Sequence, residues 1–198
     1  MWSGLDSPNA GILAMKSTLL LLLLLLTSPV FAAPPTATEK HLQLQVVGVH
    51  DGDTLTGLTA EKEQVKIRMD AIDAPELKQP FGQAAKKALS DKVFGKQVTI
   101  TTKKKDRYGR TVSHVLLGKR DINLEMLEEG LAWHYRQYSK NQRLQQAEDE
   151  ARAKKKGLWS DPAPVAPWDW RKSEKERKWR RWTAQLHSAH FIISYHRR

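Results

Sequence analysis

No cysteine occurs among the 198 residues, which excludes a disulfide framework, a thiolate metal site and a cysteine nucleophile. Any metal must be held through oxygen or histidine, and the histidines offer little. His50, His114 and His134 stand apart rather than at the short spacings that metal ligands keep, so they read as structural or solvated. Acidic residues are in deficit, 22 against 33 Lys and Arg, for a net charge of +11 and a pI near 9.8. A surplus of this size favours a polyanionic partner: nucleic acid, an anionic membrane or a cell-wall polymer. Long apolar runs are also scarce. The unbroken run 19–26 falls short of the ~20 residues that span a bilayer, so no transmembrane anchor is expected after processing.

What that run does resemble is an export signal. Lys16 precedes it, and Val30, Ala32 and Ala33 supply small residues for a cut just before or just after Ala33. Met15 stands directly ahead of Lys16, and residues 1–14 add nothing such a signal needs, so translation is expected to start at Met15. Export implies a secreted or periplasmic protein. Residues 34–40 read as a polar linker, 41–161 as one domain, and 162–198 as a separate spacer and tail.

Within the domain, β-type runs at 42–49, 54–58, 65–72, 98–102 and 112–117 are separated by turn signals. Helix formers fill 84–94 between the third and fourth runs. Further helices are expected at 121–130, N-capped by Asp121, and at 141–156, with Leu144, Ala147, Ala151 and Lys154 on one stripe. Five strands with a helix between the third and fourth, and about three helices in all, predict an α+β protein built on an OB-fold, a five-stranded Greek-key barrel.

Three short constellations carry chemistry. Asp51-Gly52-Asp53-Thr54 joins the first two strands. Asp-Gly alone is a hairpin signal, but a second carboxylate beside it repels the first unless a cation or proton intervenes. Arg68 and Asp70, Asp73 and Glu76 crowd the exit of the third strand, where the bland alternative is a solvated edge with Asp73 capping a helix. Asp106-Arg107-Tyr108-Gly109-Arg110 makes a plausible hairpin loop, from which Arg110 can reach a phosphate with a bidentate fork.

Taken in order, Asp-Gly-Asp-Thr, Arg68 with Asp73-Ala74-Pro75-Glu76, and Asp-Arg-Tyr-Gly-Arg resemble the staphylococcal nuclease family across about residues 42–160. The resemblance implies a calcium-dependent nuclease acting on DNA and RNA and leaving 3'-phosphate products. It implies a calcium site made by Asp53, Asp73 and the backbone carbonyl of Ala74, with Asp51 in an outer shell. Glu76 takes the place of the general base or water-orienting group, and Arg68 and Arg110 those of the phosphate-binding arginines. Arg107 and Tyr108 would flank the nucleotide. Among the aromatics after Ala132, Trp133, Tyr135 and Tyr138 all remain candidates for stacking on a base. The loop after Glu76, around Lys78 to Gly82, is shorter than in the best-known member. The alternative to an enzyme is a catalytically silent OB-fold module that binds nucleic acid through its basic surface.

The tail begins with a Pro-rich spacer and continues into a Lys, Arg and Trp-rich run. Residues 163–198 hold nine Lys or Arg against three Asp or Glu. Trp179, Trp182 and Leu186 fall at helical spacing, which suits an anionic surface or stacked bases, although a partly ordered tail with its tryptophans against the barrel is the plainer reading. The protein is expected to be a monomer.

Overall fold

The computed structural model describes residues 40–195. The expected export signal and start position fall outside them, as does the expected linker except Lys40, which already belongs to the first strand. Strand β1 (Lys40–Val49) alternates cleanly at Leu44 and Val46, which are buried, against Gln43 and Gln45, which are exposed. That period of two gives the sheet one apolar face. Strand β1 pairs antiparallel with β2 (Thr54–Leu58) and β5 (Gln97–Lys105), and β2 with β3 (Gln64–Met69). Strand β6 (Thr111–Leu117) pairs with β5 and, in parallel, with β3, so the five strands close on themselves. This is the OB-fold expected from the run order. A short β7 (Arg120–Asp121) extends the edge of β6.

The third run does not continue to residue 72 as expected. Ala71 adopts a left-handed backbone with φ 63°, which ends β3 at Met69. The next two residues form β4 (Ile72–Asp73), which pairs with β8 (Trp133–His134) in a separate ribbon. Buried Asn123 secures this turn: its side chain donates to Asp70 O at 2.8 Å and accepts from Val115 N at 3.0 Å.

Helix α1 (Gly82–Val93) buries Ala85, Leu89 and Val93, four residues apart, and caps one end of the barrel. Helix α2 (Ile122–Glu128) is N-capped as expected, with Asp121 accepting from Leu124 N. Helix α3 (Gln142–Ala153) buries Leu144, Ala147 and Ala151, but Lys154 is exposed and lies past its end. The fourth buried position on that helix is Glu148, ion-paired to Arg136 and Arg152 at 3.2 and 3.0 Å.

Among the described residues a fourth α-helix, one more than expected, runs from Pro167 to Tyr195 and is labelled α4. Its start is packed rather than loose: Ala166 and Trp168 join Trp133, Leu158 and Trp159 in a second apolar cluster. Farther along, Trp179 and Trp182 are exposed and do not rest on the barrel. The described residues belong to one compact unit. Among the described residues no helix is long and apolar enough to cross a membrane.

Candidate active site

The loop between β1 and β2 is an Asx turn in which Asp51 accepts from Asp53 N at 3.0 Å. It presses against the rest of the site because residue 52 has no side chain: a Cβ there would stand 2.6 Å from Ala74 Cβ and 2.7 Å from Ala85 Cβ. Asp53 is thereby buried. Its carboxylate accepts from Ala74 N at 2.7 Å and from Thr54 Oγ1 at 3.1 Å.

Arg68 is set opposite by the β2–β3 register, which pairs Thr54 with Arg68. Its Nε lies 3.1 Å from Asp53 Oδ1 and its Nη2 2.8 Å from Asp73 Oδ1. Nη1 donates to Met69 O at 2.6 Å and Ile72 O at 2.8 Å. One guanidinium thus joins both buried carboxylates and fastens the irregular turn at Ala71. A lysine has no fork with which to do both.

Burial pushes the Asp53 carboxyl up from the usual range to about 7, against the pull of Arg68, while the charges of Asp51 and Asp73 add to the rise. The folded state therefore keeps a proton that the unfolded chain releases near its ordinary value of 3.8, and stability is lost as pH rises through that interval. With divalent ions chelated, the melting temperature is expected to fall between about pH 4 and about pH 7, and Asp53→Asn to flatten the fall. An unchanged slope in the variant would assign it to other groups.

Glu76 follows on the loop into α1. Its backbone N–H donates to Gln79 Oε1 at 3.2 Å and its carbonyl accepts from Gln79 N at 2.8 Å. Helix α1 approaches this loop so closely that a Cβ on Gly82 would overlap the Glu76 carbonyl. Gly82→Ala is expected to cost about 1–3 kcal/mol by overpacking against backbone that has little room to move. Urea denaturation checks the cost, and a cleavage rate that falls with it would show that Glu76 has shifted.

Arg110 sits where barrel closure brings it. Thr111 pairs with Ile67 in the parallel β3–β6 register, so Arg110 enters beside β3, near the level of Lys66 and Arg68. Asp106 organises its turn, accepting from Tyr108 N, Arg110 N and Arg110 Nε at 2.9, 3.0 and 2.7 Å. Gly109 has the positive φ expected of this turn, at 78°. Tyr108 is exposed, with the Arg107 guanidinium 4.9 Å from its ring centre.

Of the three candidate stacking aromatics, Trp133 is buried against Trp159 and Trp168. Tyr138 is exposed and meets the edge of Tyr135. Tyr135 donates its backbone N–H to Ala71 O at 2.8 Å, which brings it to the Asp73 side of the site, and it stacks on Trp168. The three histidines have ordinary partners: His50 with Thr56, His114 with Asp121, and His134 with Gln145.

A residue that the sequence reading did not single out completes the cluster. Arg171, in the first turns of α4, donates to both oxygens of Asp73 at 3.2 and 2.7 Å and to Glu76 Oε1 at 2.9 Å. A Pro-rich spacer leading into Trp168 and Trp170 was the only trace in the sequence that the tail packs near its start.

Among the described residues no three His, Cys, Asp or Glu side chains gather around one point. The ligand set implied for calcium needs only two, Asp53 and Asp73, together with the Ala74 carbonyl. Two buried carboxylates and a backbone carbonyl are hard oxygen donors, chemistry that suits such an ion.

Residues 66–161 match the family described as staphylococcal nuclease homologue. An uncharacterized endonuclease of Haemophilus influenzae is 50% identical over 131 residues, covering 66% of this chain and 74% of the relative. Protein ParB of Escherichia coli is 39% identical over 160 residues, covering 75% and 88%. A micrococcal nuclease of Shigella flexneri is 39% identical over 142 residues, covering 66% and 81%. With identity of this extent spread over most of each relative, and with the barrel and the acid-arginine cluster in place, the chain belongs to the staphylococcal nuclease homologue family.

Proposed function

We propose that this member of a nuclease family is an active, calcium-dependent endonuclease that hydrolyses phosphodiester bonds of DNA and RNA and leaves 3'-phosphates. The observation that carries the reading is the gathering of Asp53 and Asp73 on the Arg68 fork, with Glu76 beside Asp73 on the next loop, both held by Arg171. Phosphodiester hydrolysis needs an oriented water, positive charge on the phosphate and compensation for charge that builds in the transition state. Glu76, half-exposed, accepts a proton from the attacking water. Arg68 and Arg110 hold the phosphate oxygens. Asp53, Asp73 and the Ala74 carbonyl would hold calcium, whose charge polarises the phosphoryl group when it is bound.

The exposed Tyr108 with Arg107, and Tyr135 with Tyr138, provide ring faces and edges for nucleotide binding. Export through the signal-like N-terminal segment, action outside the cytoplasm, a monomeric state and attraction of the basic tail to anionic surfaces belong to the same reading.

Degradation of single-stranded DNA by the full chain, with calcium and with excess chelator, tests it. Cleavage is expected with calcium and lost with chelator. Salt-sensitive DNA binding without cleavage would favour the silent OB-fold module instead.

A further inference from the structure

The start of α4 makes three contacts in the site that the proposed chemistry does not use. The Arg171 guanidinium lies between Asp73 and Glu76, within 3.2 Å of both. It therefore stands between a carboxylate assigned to the metal and the one assigned to the attacking water. Trp168 lies flat on Tyr135, with ring centroids 5.3 Å apart and planes 10° from parallel, so an indole covers a ring face on which a nucleobase would stack. Gln79 donates to Val165 O at 2.6 Å while accepting from Glu76 N, which ties the segment entering α4 to the backbone of Glu76.

These contacts come from one short stretch, 165–171, and they reach the metal carboxylate, the base platform and the general base together. A loosely held basic tail would pair with exposed acids. The Asp73 side chain is only 2% exposed, and reaching it requires the start of α4 to be seated by the packing of Ala166 and Trp168 against Trp133.

We propose that Arg171 is an internal occupant of the calcium site, holding Asp73 and Glu76 in the metal-free protein, and that calcium and nucleic acid bind by displacing the start of α4. The proposal rests on the calcium reading above. Arg171 spans both oxygens of Asp73 and sets a second positive charge, beside that of Arg68, against the carboxylate the metal would use, and that competition supplies the differential affinity any such displacement requires. Linkage is reciprocal: a seated α4 weakens calcium binding, and calcium loosens α4.

Calorimetric titration of calcium into the full chain, with tryptophan emission followed in parallel, tests this on wild type, Arg171→Gln and Trp168→Ala. Arg171→Gln is expected to bind calcium about tenfold more tightly, and Trp168→Ala more tightly by a smaller factor. In wild type, calcium is expected to change the tryptophan emission as Trp168 leaves Tyr135, and Trp168→Ala to lose most of that change. Trp168→Ala keeps the Arg171 charge, so it decides the matter alone if Arg171→Gln fails to fold. Equal affinities in the folded proteins overturn the displacement and leave the calcium reading intact. Weaker calcium binding in Arg171→Gln, or slower turnover at saturating calcium, would make Arg171 part of the working site and overturns the proposal as well. Absence of calcium binding in all three refutes the calcium reading itself, and the displacement with it.

Discussion

Replacing Arg68 with alanine is expected to cost about 3–5 kcal/mol of stability and to slow cleavage by about a hundredfold to a thousandfold. The two effects have separate origins: the stability lies in the contacts Arg68 makes within the fold, the rate in the phosphate it would hold. The guanidinium compensates Asp53 and Asp73, whose side chains are 8% and 2% exposed, and also ties down the carbonyls of Met69 and Ile72 around the left-handed Ala71. Without it, two buried acids lose their counter-ion and the carbonyls of the turn lose their donor. Arg68→Lys should recover little of either quantity, because one ammonium cannot span both acids and both carbonyls. Saturating calcium is expected to return part of the lost stability but little of the rate, since a metal ion compensates the acids without replacing the phosphate fork. Urea denaturation with and without calcium, beside turnover measurements, separates the two. An Arg68→Ala protein as stable as wild type in chelator would show that the acids do not depend on this residue.

Glu76→Gln is expected to lower the turnover rate by about a hundredfold to ten-thousandfold, with the fold and DNA affinity kept. The side chain is half-exposed, and the loop is held mainly by the Glu76 backbone through Gln79, so an amide of the same shape leaves that scaffold in place. What is lost is proton acceptance, so the deficit should appear in kcat rather than KM. A rate within tenfold of wild type would remove Glu76 from the role of general base.

Much of the site is legible in the sequence because its acids and its first arginine lie in short segments joined by one hairpin. Asp53 and Arg68 are recognisable from local motifs, and the register that pairs Thr54 with Arg68 makes them neighbours. The strand pattern is legible for a similar reason: β6 alternates buried and half-buried residues along most of its length. Two features are not legible. Ala71 and Phe81 take positive φ values of 63° and 65°, which residues other than glycine rarely adopt, and at Ala71 a bond from Tyr135 N, 64 residues away, holds the turn rather than local preference. Arg171 contacts Asp73 across 98 residues of chain, and a single arginine in a basic tail has nothing to distinguish it from its neighbours. Tyr135 could not be separated from Trp133 and Tyr138 by spacing. The β4–β8 ribbon separates them by burying Trp133 and directing the next backbone N–H to Ala71.

The β2–β3 hairpin also bears on the order in which the protein folds. A hairpin forms in about 1–10 μs, whereas barrels closed by distant strand pairs take milliseconds to seconds. Met69 N donates to Asp53 O at the open end of that hairpin and Thr54 pairs with Arg68, so Asp53 and Arg68 are drawn together early, before β6 arrives to close the barrel beside β3, whereas Asp73 is placed with β4 by the distant strand β8. The Asp53–Arg68 pair is therefore available before the barrel closes, both partners being carried by one hairpin. Arg110 stands just ahead of the closing strand and takes its place beside β3 only when the barrel closes, so of the two arginines assigned to the phosphate one is placed by a local contact and the other by the slow step.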